Sequence, residues 1–157
     1  MKKKMRIIPK LKTLVSLEKE KKKLLLEAYV YLAWARILKK IPFSKLSPSL
    51  GTHMAETTTI DNPSHRENIR FVSDAIYIMS RYTFWESMCL VKAIAGMKML
   101  QRRQIESTLY LGTARDEEGK MIAHAWLRSG SYFVSGAEEK DRFTIVAKFA
   151  NQIRKID

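Results

Sequence analysis

The chain has 157 residues, of which 46% are hydrophobic and 10% are aromatic. This composition excludes an intrinsically disordered chain, and the length predicts one compact domain. The single cysteine excludes an internal disulfide, and the sequence shows neither a signal peptide nor an apolar run of membrane-spanning length. We therefore expect a cytoplasmic protein that is not an integral membrane protein.

The net charge of +13 is concentrated in the first third of the chain. Residues 1–46 contain 14 Lys or Arg against three Glu, whereas residues 47–157 contain 15 against 13 acidic residues. The aromatic residues of the basic region fit the apolar part of a helix better than a base-stacking surface, so we do not expect nucleic-acid binding. The lysines of the basic region are expected either to form a solvated helix face or to contact an acidic surface. That surface would belong to a partner protein or to an anionic membrane that the protein binds peripherally.

Apolar residues recur at helical spacing from Leu14, which predicts an amphipathic helix of about 25 residues. The stripe consists of Leu14, Leu17, Leu24, Leu25, Ala28, Leu32, Ala35 and Leu38. Pro42 and the Ser47-Pro48-Ser49 run end this helix, and residues 51–63 predict a connector. We accordingly divide the chain into a basic helical N-terminal region with its connector, residues 1–63, and a core, residues 64–157.

Two more helices are predicted before any strand. Ser64 is a predicted N-cap with Glu67 at the capping-box position, and the helix that follows presents Ile69, Val72, Ile76 and Met79 on one face. The next helix is predicted to begin at Thr83, with Glu86 completing a second capping box. Cys89 then lies in its first turn or two, on one face with Ala93, Gly96 and Leu100.

Alternating apolar residues replace the helical period after residue 103. They predict a hairpin of strands 107–113 and 121–127 with a charged turn that ends in Gly119, then strands at 132–134 and 143–149. On the second strand, His124 shares a face with Ile122 and Trp126. Helices followed by an antiparallel sheet predict an α+β fold.

Cys89 and His124 are the candidate nucleophile and base. A thiol at a helix start is favoured as an anion by the unpaired backbone N–H groups and the helix dipole, and a nearby imidazole can accept its proton. The intervening 35 residues let the chain double back. The alternative is that Cys89 is a small core residue and His124 a core histidine bonded to the backbone. We expect no metal site, because the three histidines and the cysteine lack ligand spacing.

Several sequence blocks, in order, resemble the transglutaminase-like cysteine peptidases of lasso peptide biosynthesis. The blocks are residues 85–93, 100–105, 109–112, 124–128 and 134–146, within a region of about 66–149. The resemblance implies a helical N-terminal arm followed by a papain-like or transglutaminase-like core that needs no cofactor. It also implies that Cys89 is the nucleophile and His124 the base in removing the leader from a precursor peptide.

The resemblance implies partners as well. These are the lasso precursor peptide, a separate small protein that recognises its leader, and an ATP-dependent lasso cyclase that closes the ring. The alternative is a non-catalytic scaffold of the same fold that docks the precursor and the partner proteins.

The third residue of the expected triad departs from the family pattern. That pattern has an Asp about a dozen positions after the His, where this chain has Ser135-Gly136. An imidazole needs only an acceptor to fix its tautomer. The acceptor is therefore left open among a backbone carbonyl and the side chains of Ser131, Ser135, Glu138 and Asp141.

Overall fold

The computed structural model describes residues 18–83 and 88–154. Its helices are α1 (Lys19–Leu38), α2 (Phe43–Leu46), α3 (Arg66–Ser80) and α4 (Cys89–Arg102), with short 3-10 turns at Ser47–Leu50 and Lys140–Arg142. Its strands are β1 (Thr52–His53), β2 (Ser107–Arg115), β3 (Met121–Ser129), β4 (Tyr132–Ser135) and β5 (Thr144–Asn151). In the described ranges the strands form one antiparallel sheet in the order β1-β5-β2-β3-β4. The predicted α+β class is confirmed.

Helix α4 is the centre of the fold. Its buried residues occupy nearly every face: Val91, Ala93, Ile94, Ala95, Gly96, Met97, Met99 and Leu100. A Cβ added at Gly96 would lie 3.0 Å from Leu127 Cδ2 of β3 and 3.5 Å from Val134 Cγ1 of β4. The small residue at position 96 thus lets α4 approach the sheet closely.

Helix α1 packs on the side of α4 away from the sheet. The predicted stripe is confirmed at Leu25, Ala28, Leu32 and Ala35, all of which are buried, while Leu14 and Leu17 lie outside the described residues. Arg103 donates two hydrogen bonds of 2.8 and 2.7 Å to the carboxylate of Glu27, which joins α1 to the end of α4. The hydrophobic core therefore includes residues from both sides of the boundary predicted at residue 63, and the division at that residue stays a prediction. Of the described helices, none combines the length and apolarity needed to cross a bilayer.

Three local predictions need correction. Helix α3 is capped by His65 without a side-chain bond, because the Ser64 hydroxyl bonds instead to Asn62 Oδ1 at 2.7 Å. Helix α4 begins at Cys89 rather than at Thr83, since Met88 is extended, and Glu86 lies outside the described residues. The predicted connector contains strand β1, which pairs with β5. A strand of two residues is too short to show an alternating pattern in the sequence.

The connector packs on the second face of the sheet at the end of β3. Arg128 is 5% exposed, and three of its acceptors lie in the connector: Nη1 donates to the Thr58 carbonyl, and Nη2 to the Thr57 carbonyl and to Glu56. Its other donors are paired as well, because Nε donates to Tyr110 Oη and Nη1 also to the Gly130 carbonyl. A buried guanidinium is tolerated because its donors are paired. Arg128 thus fixes the connector over the end of β3.

We predict that Arg128→Met destabilises the protein by about 2 kcal/mol or more, because it leaves the carbonyl of buried Thr57 without a donor. Urea unfolding followed by circular dichroism measures this. Arg142→Met is the matched control, because its pair with Glu139 is exposed and should be worth less than about 0.5 kcal/mol. Equal midpoints for both variants would contradict the role given to Arg128.

Candidate active site

Cys89 is the first residue of α4. Met88, its N-cap, has φ −71° and ψ 162°, so the chain turns from extended to helical at the cysteine itself. The thiol is free and half-buried, and it packs against the edge of the hydrophobic core. The backbone N–H groups of the first helical turn have no acceptor within the helix, so they are available as donors beside the thiol.

His124 lies in the middle of β3, opposite Gly112 of β2. Its Nε2 is 2.8 Å from the backbone carbonyl oxygen of Gly136. Because a carbonyl only accepts, Nε2 carries the proton and donates it, and the neutral ring keeps its free lone pair on Nδ1. The ring is held between Trp126, at a centroid distance of 5.8 Å, and Phe143, at 5.0 Å.

Two glycines make this arrangement possible. Gly136 has φ +73°, and a Cβ there would lie 2.4 Å from the Ala125 carbonyl oxygen, so only glycine lets its own carbonyl reach the imidazole. A Cβ at Gly112 would lie 2.8 Å from Phe143 Cβ and 2.9 Å from the Trp126 ring. Phe143 and Trp126, which flank His124, therefore pack directly against Gly112.

The acceptor left open by the sequence is the Gly136 carbonyl. The side chains that were also considered are engaged elsewhere or unpartnered: Ser131 Oγ bonds to Asp61, Glu138 to Tyr77, and Asp141 to Lys140, while the buried Ser135 Oγ has no partner. Gly136, which lies 12 positions after His124, thus provides the acceptor through its backbone and not through a side chain.

Tyr77 of α3 holds the Gly136 segment in place. Its hydroxyl donates to Glu138 Oε1 at 2.8 Å and accepts a bond of 3.3 Å from the Gly136 N–H. Burial and the bond to Glu138 raise the pKa of Tyr77 to about 12. Hydrogen bonds from its own backbone N–H and from Tyr77 lower the pKa of Glu138, and the charges of Lys92 and His124 act in the same direction. A carboxylate is thus present near the imidazole without touching it.

Lys92 connects this network to the cysteine helix. It lies one turn after Cys89, and its Nζ is 5.6 Å from the centroid of the Tyr77 ring. The start of α4 and the carbonyl that anchors His124 are therefore joined through Tyr77. Neither Tyr77 nor Gly112 was singled out from the sequence, because only the tertiary packing brings them near His124.

The two faces of the sheet separate His124 from the cysteine helix. Gly96 of α4 lies beside Leu127 of β3. Alternation along β3 gives His124 and Leu127 opposite faces, and Leu127 is the one that faces α4. In the described structure no hydrogen bond joins Sγ of Cys89 to the imidazole.

In the described residues, one edge of β3 has no paired strand next to His124. Strand β4 pairs only with Leu127–Ser129 of β3, so in the part of the chain that is described residues 121–126 have no strand partner on that side. Along a strand, the backbone N–H and C=O groups of every second residue point to the same edge. Those of Ser129 point to β4, so those of Met121 and Ala123 point to the unpaired part of this edge. An extended peptide therefore has backbone donors and acceptors available beside the candidate site.

A cavity of about 470 Å³ lies at the other end of the sheet. Ile69 of α3, Ile105 after the end of α4 and Gly130 in the β3–β4 turn are among the residues that line it. Cys89 and His124 are not in its wall. Within the described ranges, no three His, Cys, Asp or Glu side chains are grouped so as to hold a metal ion.

The sequence profile of the Transglutaminase-like superfamily matches residues 30–148. The chain belongs to this superfamily. No curated protein and no solved structure is significantly similar to the chain. This transglutaminase-like protein therefore shares its fold with a superfamily that includes cysteine peptidases and in which cysteine-type peptidase or transferase activity is common.

We predict that raising the pH from about 10 to about 12 destabilises the wild type more than Tyr77→Phe. The folded state holds the Tyr77 proton up to a pKa of about 12, whereas the unfolded chain releases it near 10.0, so stability present below pH 10 is lost as the pH rises. Urea midpoints at about pH 9 and about pH 11.5 measure the difference. Tyr132→Phe is the control, because this tyrosine is exposed and should follow the wild type. Parallel loss in all three proteins would contradict the assignment.

Proposed function

We propose that this protein is a cysteine peptidase that removes the leader peptide from a ribosomally made lasso precursor. The observation that carries the proposal is the bond from His124 Nε2 to the Gly136 carbonyl, which leaves Nδ1 free to accept a proton. The single cysteine of a transglutaminase-like chain, at the start of its central helix, is the nucleophile in this proposal.

In the proposed reaction, Sγ of Cys89 attacks the scissile carbonyl carbon while its proton passes to Nδ1 of His124. The oxyanion is stabilised by a backbone N–H in the first turn of α4. The imidazolium then protonates the departing amine of the core peptide, and the leader stays bound as a thioester. Water, which gives a proton to Nδ1, attacks the thioester carbon and releases the leader acid and the thiol.

Glu138 has a defined role in this scheme. The Gly136 carbonyl orients the ring but carries no full charge, so on its own it stabilises the imidazolium less than the family Asp would. Glu138 is ionised at neutral pH, because its pKa is lowered, and its charge acts on His124 without a direct bond. We assign to it the electrostatic part of the role and to Gly136 the orienting part.

The lasso assignment rests on the sequence blocks between residues 85 and 146 and on the open edge of β3, which suits an extended peptide. The proposed partners are the precursor, a small leader-recognition protein and the lasso cyclase. We assign the reaction to the cytoplasm, where a free thiol is kept reduced.

We predict that Cys89→Ala and His124→Ala each lower the rate of leader cleavage at least about a thousandfold, because nucleophile and base act as a unit. Mass spectrometry of a cognate precursor incubated with its recognition protein measures the products. Ser135→Ala is the matched control, because its hydroxyl is buried without a partner and should leave cleavage unchanged. Cleavage by the Cys89→Ala protein at the wild-type rate would refute the proposal.

A non-catalytic scaffold is the second candidate. It is favoured by the alternation along β3, which turns the imidazole away from the face that packs on α4, and by the absence of a Cys89–His124 bond in the described structure. The scaffold would dock the precursor and its partner proteins by the same surfaces without chemistry.

The reactivity of the thiol separates the two candidates. In the peptidase, we expect iodoacetamide to alkylate Cys89 about tenfold faster near neutral pH than it does in His124→Ala, because the imidazole takes up the thiol proton. His65→Ala controls for loss of a histidine remote from the thiol. Equal rates in all three proteins, each near that of an ordinary thiol, would favour the scaffold.

A further inference from the structure

Helix α1 has a second apolar stripe that faces solvent. Opposite its buried residues, Leu26 is 64% exposed, Val30 56% and Ile37 63%, and Trp34 lies on the same line. The spacing of four, four and three residues keeps these side chains on one side of the helix. We call Leu26, Val30, Trp34 and Ile37 the outer stripe.

The outer stripe is not part of the core. The face of α1 that packs on α3 and α4 is formed by Leu25, Ala28, Leu32 and Ala35. An apolar row of this length on the outside of a small domain marks an interaction surface, because soluble proteins seldom expose contiguous apolar patches.

Cations surround the outer stripe. Lys19 and Lys23 continue its line toward the start of α1, and Lys39 and Lys40 follow its end. Residues 19–40 contain seven Lys or Arg against two Glu. A groove along the stripe is lined by Leu26, Val30 and Trp34 and by two ion pairs. Lys23 pairs with Glu20 at 3.4 Å, and Arg102 pairs with Glu27 at 3.9 Å. The face therefore combines apolar side chains with positive charge.

We propose that the outer stripe of α1 binds the surface of an anionic lipid membrane. Leu26, Val30 and Ile37 enter the boundary between headgroups and acyl chains, Trp34 lies at the level of the headgroups, and the lysines contact lipid phosphates. A narrow apolar row on a convex helix can insert into a lipid surface, which is fluid and adapts to it. The positive charge of the surrounding lysines favours anionic lipid. This inference is independent of the proposed peptidase activity.

The stripe leads toward the candidate active site. Lys39, which follows α1, contacts Sδ of Met88, the residue before Cys89. A membrane bound along α1 would therefore lie near the start of α4, which carries Cys89. Membrane binding would bring the candidate site close to the lipid surface.

Vesicle flotation of the full-length protein tests the proposal. We expect binding to vesicles of equal phosphatidylglycerol and phosphatidylcholine, at least tenfold weaker binding to pure phosphatidylcholine, and weakening by added salt. The triple variant Leu26→Gln/Val30→Gln/Ile37→Gln should bind the anionic vesicles at least tenfold more weakly. Because these side chains are largely exposed, the variant should keep the wild-type urea midpoint.

The matched control is Ile60→Gln/Ile145→Gln/Val146→Gln, which removes three exposed apolar side chains remote from α1 and should bind like the wild type. Lys19→Gln/Lys23→Gln should weaken binding mainly at low salt. Unchanged binding by the outer-stripe variant, or no binding of the wild type to anionic vesicles, would overturn the proposal. The second result would leave an acidic protein surface as the occupant of the stripe.

Discussion

Burial of α4 is the constraint on which the rest of the structure depends. A helix that is apolar on nearly every face cannot remain at a surface, so the sheet covers one side and α1 and α3 cover the others. Its contact with Leu127 at Gly96 fixes its position along β3. The same packing therefore decides where the first residue of α4, Cys89, stands relative to the sheet.

The chemistry that we assign to the site follows from a backbone group. The chain at Gly136 turns through a conformation open to glycine, and this turn directs a carbonyl at the imidazole of His124. Tyr77 and Glu138 hold that turn from the side of α3 and set a carboxylate nearby. In the reaction that we propose, the Gly136 carbonyl orients the imidazole and Glu138 provides the nearby negative charge.

Much of the fold could be predicted because its signals are local. The buried stripe of α1, the apolar face of α3 and the hairpin of β2 and β3 each follow from periodicity over many residues. The two-residue strand β1 and the cap of α3 could not, because a distant strand and the side chain of Asn62 decide them. The outer stripe was missed because α1 is apolar on two faces, and the sequence does not say which of them is packed.

The candidate site was predictable only in part. A lone cysteine and a strand histidine were identified by residue type, and the shared face of His124 and Trp126 follows from alternation. The acceptor of the imidazole proton was not identifiable, because any residue has a carbonyl and only the tertiary fold aims one. The same alternation that pairs His124 with Trp126 also turns the ring away from the face that contacts α4, which the spacing of 35 residues does not reveal.

In the reaction that we propose, Cys89 forms a covalent intermediate with the leader. Rapid acid quenching of a cognate precursor reaction, followed by mass spectrometry of the intact protein and of its peptides, measures this directly. We expect a thioester adduct whose mass equals that of the leader acid minus water, located on Cys89 and lost after treatment with hydroxylamine. Cleavage of the precursor with no adduct at any time point, together with a Cys89 thiol that stays free, would contradict it.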